Sequence, residues 1–382
     1  MKKFILSLYV LILFTVSSQI SFAQNTEYSG FLEELFIARQ PSPRAEAMGR
    51  GLAADNQNDF GSYYNPALTS LTDGLQVNTS FSNRYSYYDS SFYNYFGASY
   101  KLKNMGSFGL SRYQYNIGFD IEESTASQPE GTGNIYRIYY DLFSLNYSRE
   151  VVKDFYAGIN INAVDIHNSS SVITLDKKIL YTLDIGLLKK ISLPGFTNTG
   201  ISHSVSVGTS FYNVTNSKYV FTYTGVPVSG SGDVHLPVIF RGAASYNLKL
   251  KGTGFAKNSS DFALLTNFEY EKILNTARYE TYKFGAELTI KDILSLRVGH
   301  FSRKANVKST IFDYNTGEFS QFTYGGGIKI PLHLIFNMKT PLSLSIDYVN
   351  LKQPTNPDFI TSTIVLKNYN TFAVKLNYIP GW

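Results

Sequence analysis

Tyr282–Lys291 reads YKFGAELTIK. Its even positions, Tyr282, Phe284, Ala286, Leu288 and Ile290, are aromatic or aliphatic, whereas Lys283, Gly285, Glu287, Thr289 and Lys291 are charged, polar or small. Successive side chains of a strand point to opposite faces, so this segment has one apolar and one polar face. A strand of about ten residues divided in this way suits a wall between lipid and a polar lumen. Two further segments show the same period. In Leu342–Asn350, Leu342, Leu344, Ile346 and Tyr348 oppose Ser343, Ser345 and Asp347; in Val238–Leu250, Phe240, Ala244, Tyr246 and Leu248 oppose Arg241, Ser245, Asn247 and Lys249.

Such segments recur onward from Leu75, near 75–84, 92–102, 106–117, 135–149, 155–167, 177–190, 202–214, 236–250, 261–271, 280–291, 293–302, 320–330, 342–350 and 370–379. Their number, about fourteen, is even, as a closed antiparallel barrel requires. If the N-terminal part begins on the periplasmic side, the longest connections, around 118–134, 215–234, 303–318 and 351–369, all fall outside. Inner turns such as Lys103-Asn104 and Lys291-Asp292 are short, and Pro331–Pro341 is a longer exception. The expected fold is all-β, a transmembrane antiparallel barrel, with a soluble β-sandwich of the same alternation as the alternative.

Composition favours the barrel. Aromatic residues make up 15% of the chain, with 30 Tyr and 28 Phe against one Trp, while only 16% of residues are charged, below the soluble average of about 25%. Barrels use rings for interfacial girdles and keep charge off the lipid face. There is no cysteine, so neither a disulfide nor a thiolate metal site is available. Lys2 and Lys3 precede an apolar run from Phe4 to Val16, and Ser21, Phe22 and Ala23 form a small-x-small cleavage site, so residues 1–23 are expected to be a signal peptide. The remaining Lys and Arg are scattered, which gives nucleic-acid binding no support.

Enzymatic chemistry has little to stand on. His167, His203, His235, His300 and His333 lie far apart, and no serine sits in a nucleophile elbow. No local pattern of histidines or carboxylates has metal-ligand spacing. Neither catalytic residues, metal nor cofactor are expected. Gly325–Gly327 lie in a strand pattern, where small residues admit a close approach to the wall. On the polar parity, Arg241, Glu287, Arg297, Asp347 and Lys375 project into the lumen. Charges there need partners, so they either bond the wall to a plug or steer the head group of an amphipathic ligand. Tyr85, Tyr87 and Tyr88, and Tyr219, Phe221 and Tyr223 in a long outer loop, are candidates for an interfacial girdle or an outer docking groove.

One long stretch of the mature chain does not alternate: Pro43–Leu68, PRAEAMGRGLAADNQNDFGSYYNPAL. Glycines, Asx residues and Pro66 favour a compact, turn-rich segment needing little core of its own. Here Arg44, Ala45, Met48, Gly49 and Gly51, an acidic and small run with Asp55 and Asp59, then Tyr63, Tyr64, Asn65, Pro66 and Ala67 form a sequence that resembles the N-terminal signature of FadL-type outer-membrane barrels and of the PorV and PorQ group of type IX secretion. VSVGTSFYNV from Val205, LPVIFRGAASYNL from Leu236 and FGAELTIKDILSLRVGH from Phe284 extend the resemblance over most of the chain. It implies an N-terminal extension and hatch over residues 24–72 lying in the lumen of a barrel over residues 73–382, in the outer membrane of a Gram-negative-type bacterium, contacting lipid as a monomer. It implies passive transport of hydrophobic or amphipathic small molecules, or, in the secretion branch, a non-enzymatic accessory that meets secretion machinery and cargo proteins. Asp55 and Asp59 are expected to meet lumen Arg or Lys residues.

Overall fold

The computed structural model describes residues 39–380 apart from 86–87, 117, 119–120, 123, 125–126, 169–172, 195–199, 225–228, 253–259, 276–278, 306–318 and 354–366. The expected leader at residues 1–23, Tyr87 and Trp382 lie outside the described residues. Among the described residues three short helical turns come first: α1 (Pro43–Ala47), α2 (Gly61–Tyr64) and a 3-10 turn, η1 (Pro66–Leu71). Strands follow: β1 (Leu75–Tyr85), β2 (Tyr88–Leu102), β3 (Gly106–Asn116), β4 (Ile121–Glu122), β5 (Ile135–Tyr136), β6 (Ile138–Val152), β7 (Phe155–Asn168), β8 (Ile173–Leu175), β9 (Ile179–Ser192), β10 (Ile201–Tyr212), β11 (Lys218–Thr224), β12 (Ser229–His235), β13 (Ile239–Lys251), β14 (Ser260–Ile273), β15 (Tyr279–Ile290), β16 (Leu294–Ala305) and β17 (Phe319–Ile330). After the short helix α3 (Leu332–Ile335) come β18 (Leu342–Leu351) and β19 (Tyr369–Tyr378).

Fourteen of these strands form one closed antiparallel barrel, in the order β1-β19-β18-β17-β16-β15-β14-β13-β10-β9-β7-β6-β3-β2. Closure is made by β1 and β19, with Leu75 opposite Tyr378 and Ser82 opposite Thr371. Each expected segment coincides with a barrel strand to within a few residues. The alternation holds: Phe284, Leu288, Leu296, Val298 and Phe322 are exposed on the outside, Phe322 by 80%, whereas Lys283, Glu287, Arg297 and Thr323 are buried within. Among the described residues no helix is long and apolar enough to cross a membrane.

The barrel's two ends differ. Tight turns, such as Lys291-Asp292 with both residues at positive φ, close the end where β1 begins and β19 stops; this is the turn end, and the opposite one is the loop end. There β8, β11 and β12 form a separate three-stranded sheet. Tyr219 and Val234 of that sheet are buried in the main hydrophobic cluster, and Phe221 packs against it. The segment around 215–234 is therefore a folded cover over the lumen, where Tyr219 and Phe221 turn inward and form no outer groove. Its pairing is non-local, Phe221 lying opposite Leu175. The Lys218 ammonium donates to Asp233 across the β11–β12 hairpin and holds that exposed carboxyl below its ordinary range.

Candidate functional site

Residues Arg39–Thr72 run through the lumen and are almost entirely buried. Local chemistry explains the path. The Ser42 hydroxyl accepts from Ala45 N at 3.2 Å and Pro43 occupies the first turn, so α1 starts there. Gly49 (φ 68°) and Arg50 (φ 71°) then turn the chain away. Asn65 is extended, as its place before proline requires, and its Oδ1 accepts from Ala67 N at 3.0 Å to cap η1. The same amide donates to Ala53 O at 2.8 Å and to Leu187 O of β9 at 3.0 Å, tying the plug to itself and to the wall.

The described part of the plug begins at the loop end. Arg39 lies at the loop end, where its guanidinium donates to Gln353 Oε1 at 2.8 Å and to Arg84 O at 3.1 Å and sits 3.8 Å above the Tyr369 ring. From there the chain descends to η1 at the turn end, and β1 begins beside it. Between Arg39 and Thr72 the chain crosses the lumen once.

Two buried ionic groups bind the plug to the wall. In the first, Glu287 accepts from Arg44 Nε at 2.8 Å and from Arg297 Nε at 2.6 Å; Arg44 also meets Asp55 at 2.5 Å, and Arg297 meets Asp347 at 2.5 Å. In the second, Arg241 bonds Glu271 at 2.8 Å and donates to Tyr63 O at 3.0 Å, while Lys283 bridges Glu271 and Glu269, each at 2.8 Å, and Glu269 accepts from Ala53 N. Glu269, Glu271 and Lys283 were not among the expected site residues, although their lumen parity marks them as plainly as it marks Glu287. Lys375 meets Asp59 at 2.9 Å. Of the two plug aspartates, Asp59 thus reaches a wall lysine, whereas Asp55 is taken up by Arg44 of its own segment, which lies between it and the wall.

Burial alone would raise the Asp59 carboxyl, but Lys375 and then Arg44 outweigh it and hold the group below its usual range. A carboxyl lowered in the folded state stabilises that state fully above its unfolded pKa, about 3.9. That stabilisation is lost as pH falls through the lower folded value. Amide exchange of residues 55–60 should accordingly stay slow from neutral pH to about 4 and quicken below it, and Asp59→Asn should remove the transition.

Met48 and Gly49 lie against the wall glycines Gly285 and Gly299, Pro66 against Gly158, and Ala53 against Gly208. Gly51 receives the Asn267 amide on its carbonyl. Tyr63 and Tyr64 pack edge to face at 5.0 Å. Above them, toward the loop end, lies a group that the alternation did not reveal. Tyr93, Tyr95, Tyr113, Tyr115 and Tyr140 are all buried on the lumen face. Tyr93 lies 4.8 Å from Tyr115 and 5.7 Å from Tyr113, and Tyr113 is 5.5 Å from plug Tyr63. Leu142, Val164, Ile166 and Leu180 continue this lining.

Below the plug is a polar cavity of about 210 Å³, open toward the turn end. Arg44, Glu287, Arg297 and Asp347 form its roof, plug residues Asn56 and Gln57 one side, and Lys249, Lys329 and Lys375 the wall.

Fold and site together define a plugged fourteen-stranded barrel whose loop half carries tyrosines and aliphatic residues on β2, β3, β6, β7 and β9 and the Arg241 group on β13–β15, with the Glu287 group nearer the turn end. The chain matches no protein-family model and no curated protein. Solved structures similar to it include a FadL homologue of Pseudomonas aeruginosa, with 11% identity, 89% of this chain and 98% of that one covered, and a TM-score of 0.44. The toluene transporter TodX of Pseudomonas putida has 10% identity, 93% and 99% covered, and a TM-score of 0.43. The toluene transporter TbuX of Ralstonia pickettii has 9% identity, 90% and 100% covered, and a TM-score of 0.45.

Proposed function

We propose that this chain is an outer-membrane barrel that passes hydrophobic or amphipathic small molecules without an energy source, its N-terminal plug acting as the gate. The exposed apolar exterior supports placement in lipid. The observation that carries the transport reading is the lining of the lumen. A barrel for hydrophilic solutes is polar inside, whereas here five tyrosines and the aliphatic residues beside them line one side of the loop half and rest on Phe60 and Tyr63 of the plug, the charges of the other side being paired with one another. Aromatic rings bind apolar molecules through area and quadrupole geometry without requiring one substrate shape. The two ionic groups, one beside the tyrosines and one toward the turn end, serve to seat the plug.

Uptake by proteoliposomes tests this. The wild-type barrel should admit an apolar aromatic or a medium-chain fatty acid faster than protein-free vesicles. Tyr113→Ser, which removes a ring central to the cluster, should weaken passenger binding by about tenfold or more, the equivalent of one lost aromatic contact. Uptake no faster than in empty vesicles, together with altered surface and secreted proteins in a deletion strain, would reject transport in favour of a secretion accessory.

A further inference from the structure

The turn-end cavity holds a surplus of unengaged donors. Lys375 is committed to Asp59, and Arg44 and Arg297 to three carboxylates. Asp292, also in the lining, accepts from Ser260 N at 2.8 Å and Ser260 Oγ at 2.6 Å. Lys249 and Lys329 remain: among the described residues neither has a carboxylate within ion-pair distance, yet both line this one small space. Asn247 lies one inward position along β13 from Lys249, is only 7% exposed, and its Oδ1 has no hydrogen-bond partner among the described residues. A buried amide without a partner is costly. Which amide atom faces the cavity is interchangeable by rotation, so its Nδ2 can be turned inward as a donor.

We infer that this cavity is an oxyanion site, formed by Lys249, Lys329 and the Asn247 amide, that receives the carboxylate of an amphipathic passenger after it has passed the plug. Two ammonium groups and an amide donor match the acceptor-only oxygens of a carboxylate, and the charged hydrogen bonds formed are the strong kind. The volume suits a head group with a few carbons and excludes a long chain folded within it. Bound anion also relieves the repulsion between the lysines, so the site needs a ligand that leaves readily toward the turn end, where Lys249 and Lys329 are open to solvent. The passenger's identity as an amphiphile rests on the transport reading; the oxyanion site does not.

The test is calorimetric titration of the full chain in a non-ionic detergent with hexanoate, hexanol and inorganic phosphate. Hexanoate should bind at least about tenfold more tightly than hexanol, the equivalent of one charge-assisted hydrogen bond, and Lys249→Gln/Lys329→Gln should abolish that preference while leaving hexanol binding unchanged. Neither lysine is paired among the described residues, so the variant should keep the wild-type unfolding midpoint. Asn247→Asp, which places a carboxylate in the site, should reverse the preference and supplies a second reading if the double variant fails to fold. Retention of the hexanoate preference by either folded variant overturns the site. Phosphate displacing hexanoate at equal concentration upholds the oxyanion site but assigns it to free anions. Hexanoate binding without any hexanol binding upholds the site while rejecting hydrophobic transport.

Discussion

Gly299→Val and Gly158→Val, each made alone, should release the plug while leaving the barrel closed. A Cβ at Gly299 would lie 2.1 Å from Gly49 N and 2.4 Å from Met48 C; at Gly158 it would lie 2.4 Å from both the carbonyl carbon and oxygen of Pro66. In each case the obstacle is plug backbone, which cannot rotate away as a side chain can. Overpacking a well-filled interior costs on the order of 1–3 kcal/mol, and a collision with backbone on both sides belongs at or above the top of that range. A loss of about 3 kcal/mol shifts the docked population more than a hundredfold. The wall does not share this cost, because the interstrand hydrogen bonds of β7 and β16 do not involve the added methyls. Segment 43–68 should become cleavable by added protease, and vesicles carrying either variant should leak small hydrophilic solutes. Gly326→Ala is the control: its Cβ faces outward, with nothing nearer than Ser295 O at 3.5 Å, and it should behave as wild type. Unchanged protease resistance in both valine variants would mean that the plug does not rest on these glycines.

The strands were legible because each must divide apolar from polar residues at a period of two, and a division imposed by lipid persists along the whole segment. The inward direction of Arg241, Glu287, Arg297, Asp347 and Lys375 followed from the same rule. Which charge meets which did not, since Arg44 and Glu287 are 243 residues apart and the partner depends on where the plug backbone passes. The lumen tyrosines were hidden for another reason. In β2, Phe92 and Phe96 stand on one parity and Tyr93 and Tyr95 on the other, so aromatic residues on both faces erase the contrast by which the faces are told apart. The cover sheet was unreadable because β8 is only three residues long and pairs with a strand more than forty residues away. The wall glycines are the plug's imprint: Gly158 pairs with Gly186 and Gly285 with Gly299 across neighbouring strands, a coincidence visible only once the register is known.

Glu287 tests whether the ionic group merely stabilises the barrel or holds the gate. Its carboxylate is shared by a plug guanidinium, Arg44, and a wall guanidinium, Arg297, and all three side chains are about 95% buried or more. Removing one partner from a buried ion pair costs about 3–5 kcal/mol, because the charge left behind has no water to turn to. In Glu287→Ala two guanidiniums are left close together, though Asp55 still faces the first and Asp347 the second, so the lower end of that range is expected. The two remaining carboxylates also decide where the loss falls. Arg297 stays bound to Asp347 within the wall, whereas the Arg44–Asp55 pair lies wholly within the plug and no longer connects it to β15. The larger effect should therefore appear in plug release, read as protease cleavage of 43–68 and solute leak, with a smaller change in the barrel's own unfolding midpoint. Arg44→Leu/Glu287→Leu should lose less than the sum of the two single substitutions, by about 0.5–3 kcal/mol of coupling. Strict additivity, or a fall in the barrel midpoint with the plug still protected, would show that the shared carboxylate supports the wall alone and that the plug is held by other contacts, foremost the Arg241 bond to Tyr63 O and the Lys375–Asp59 pair.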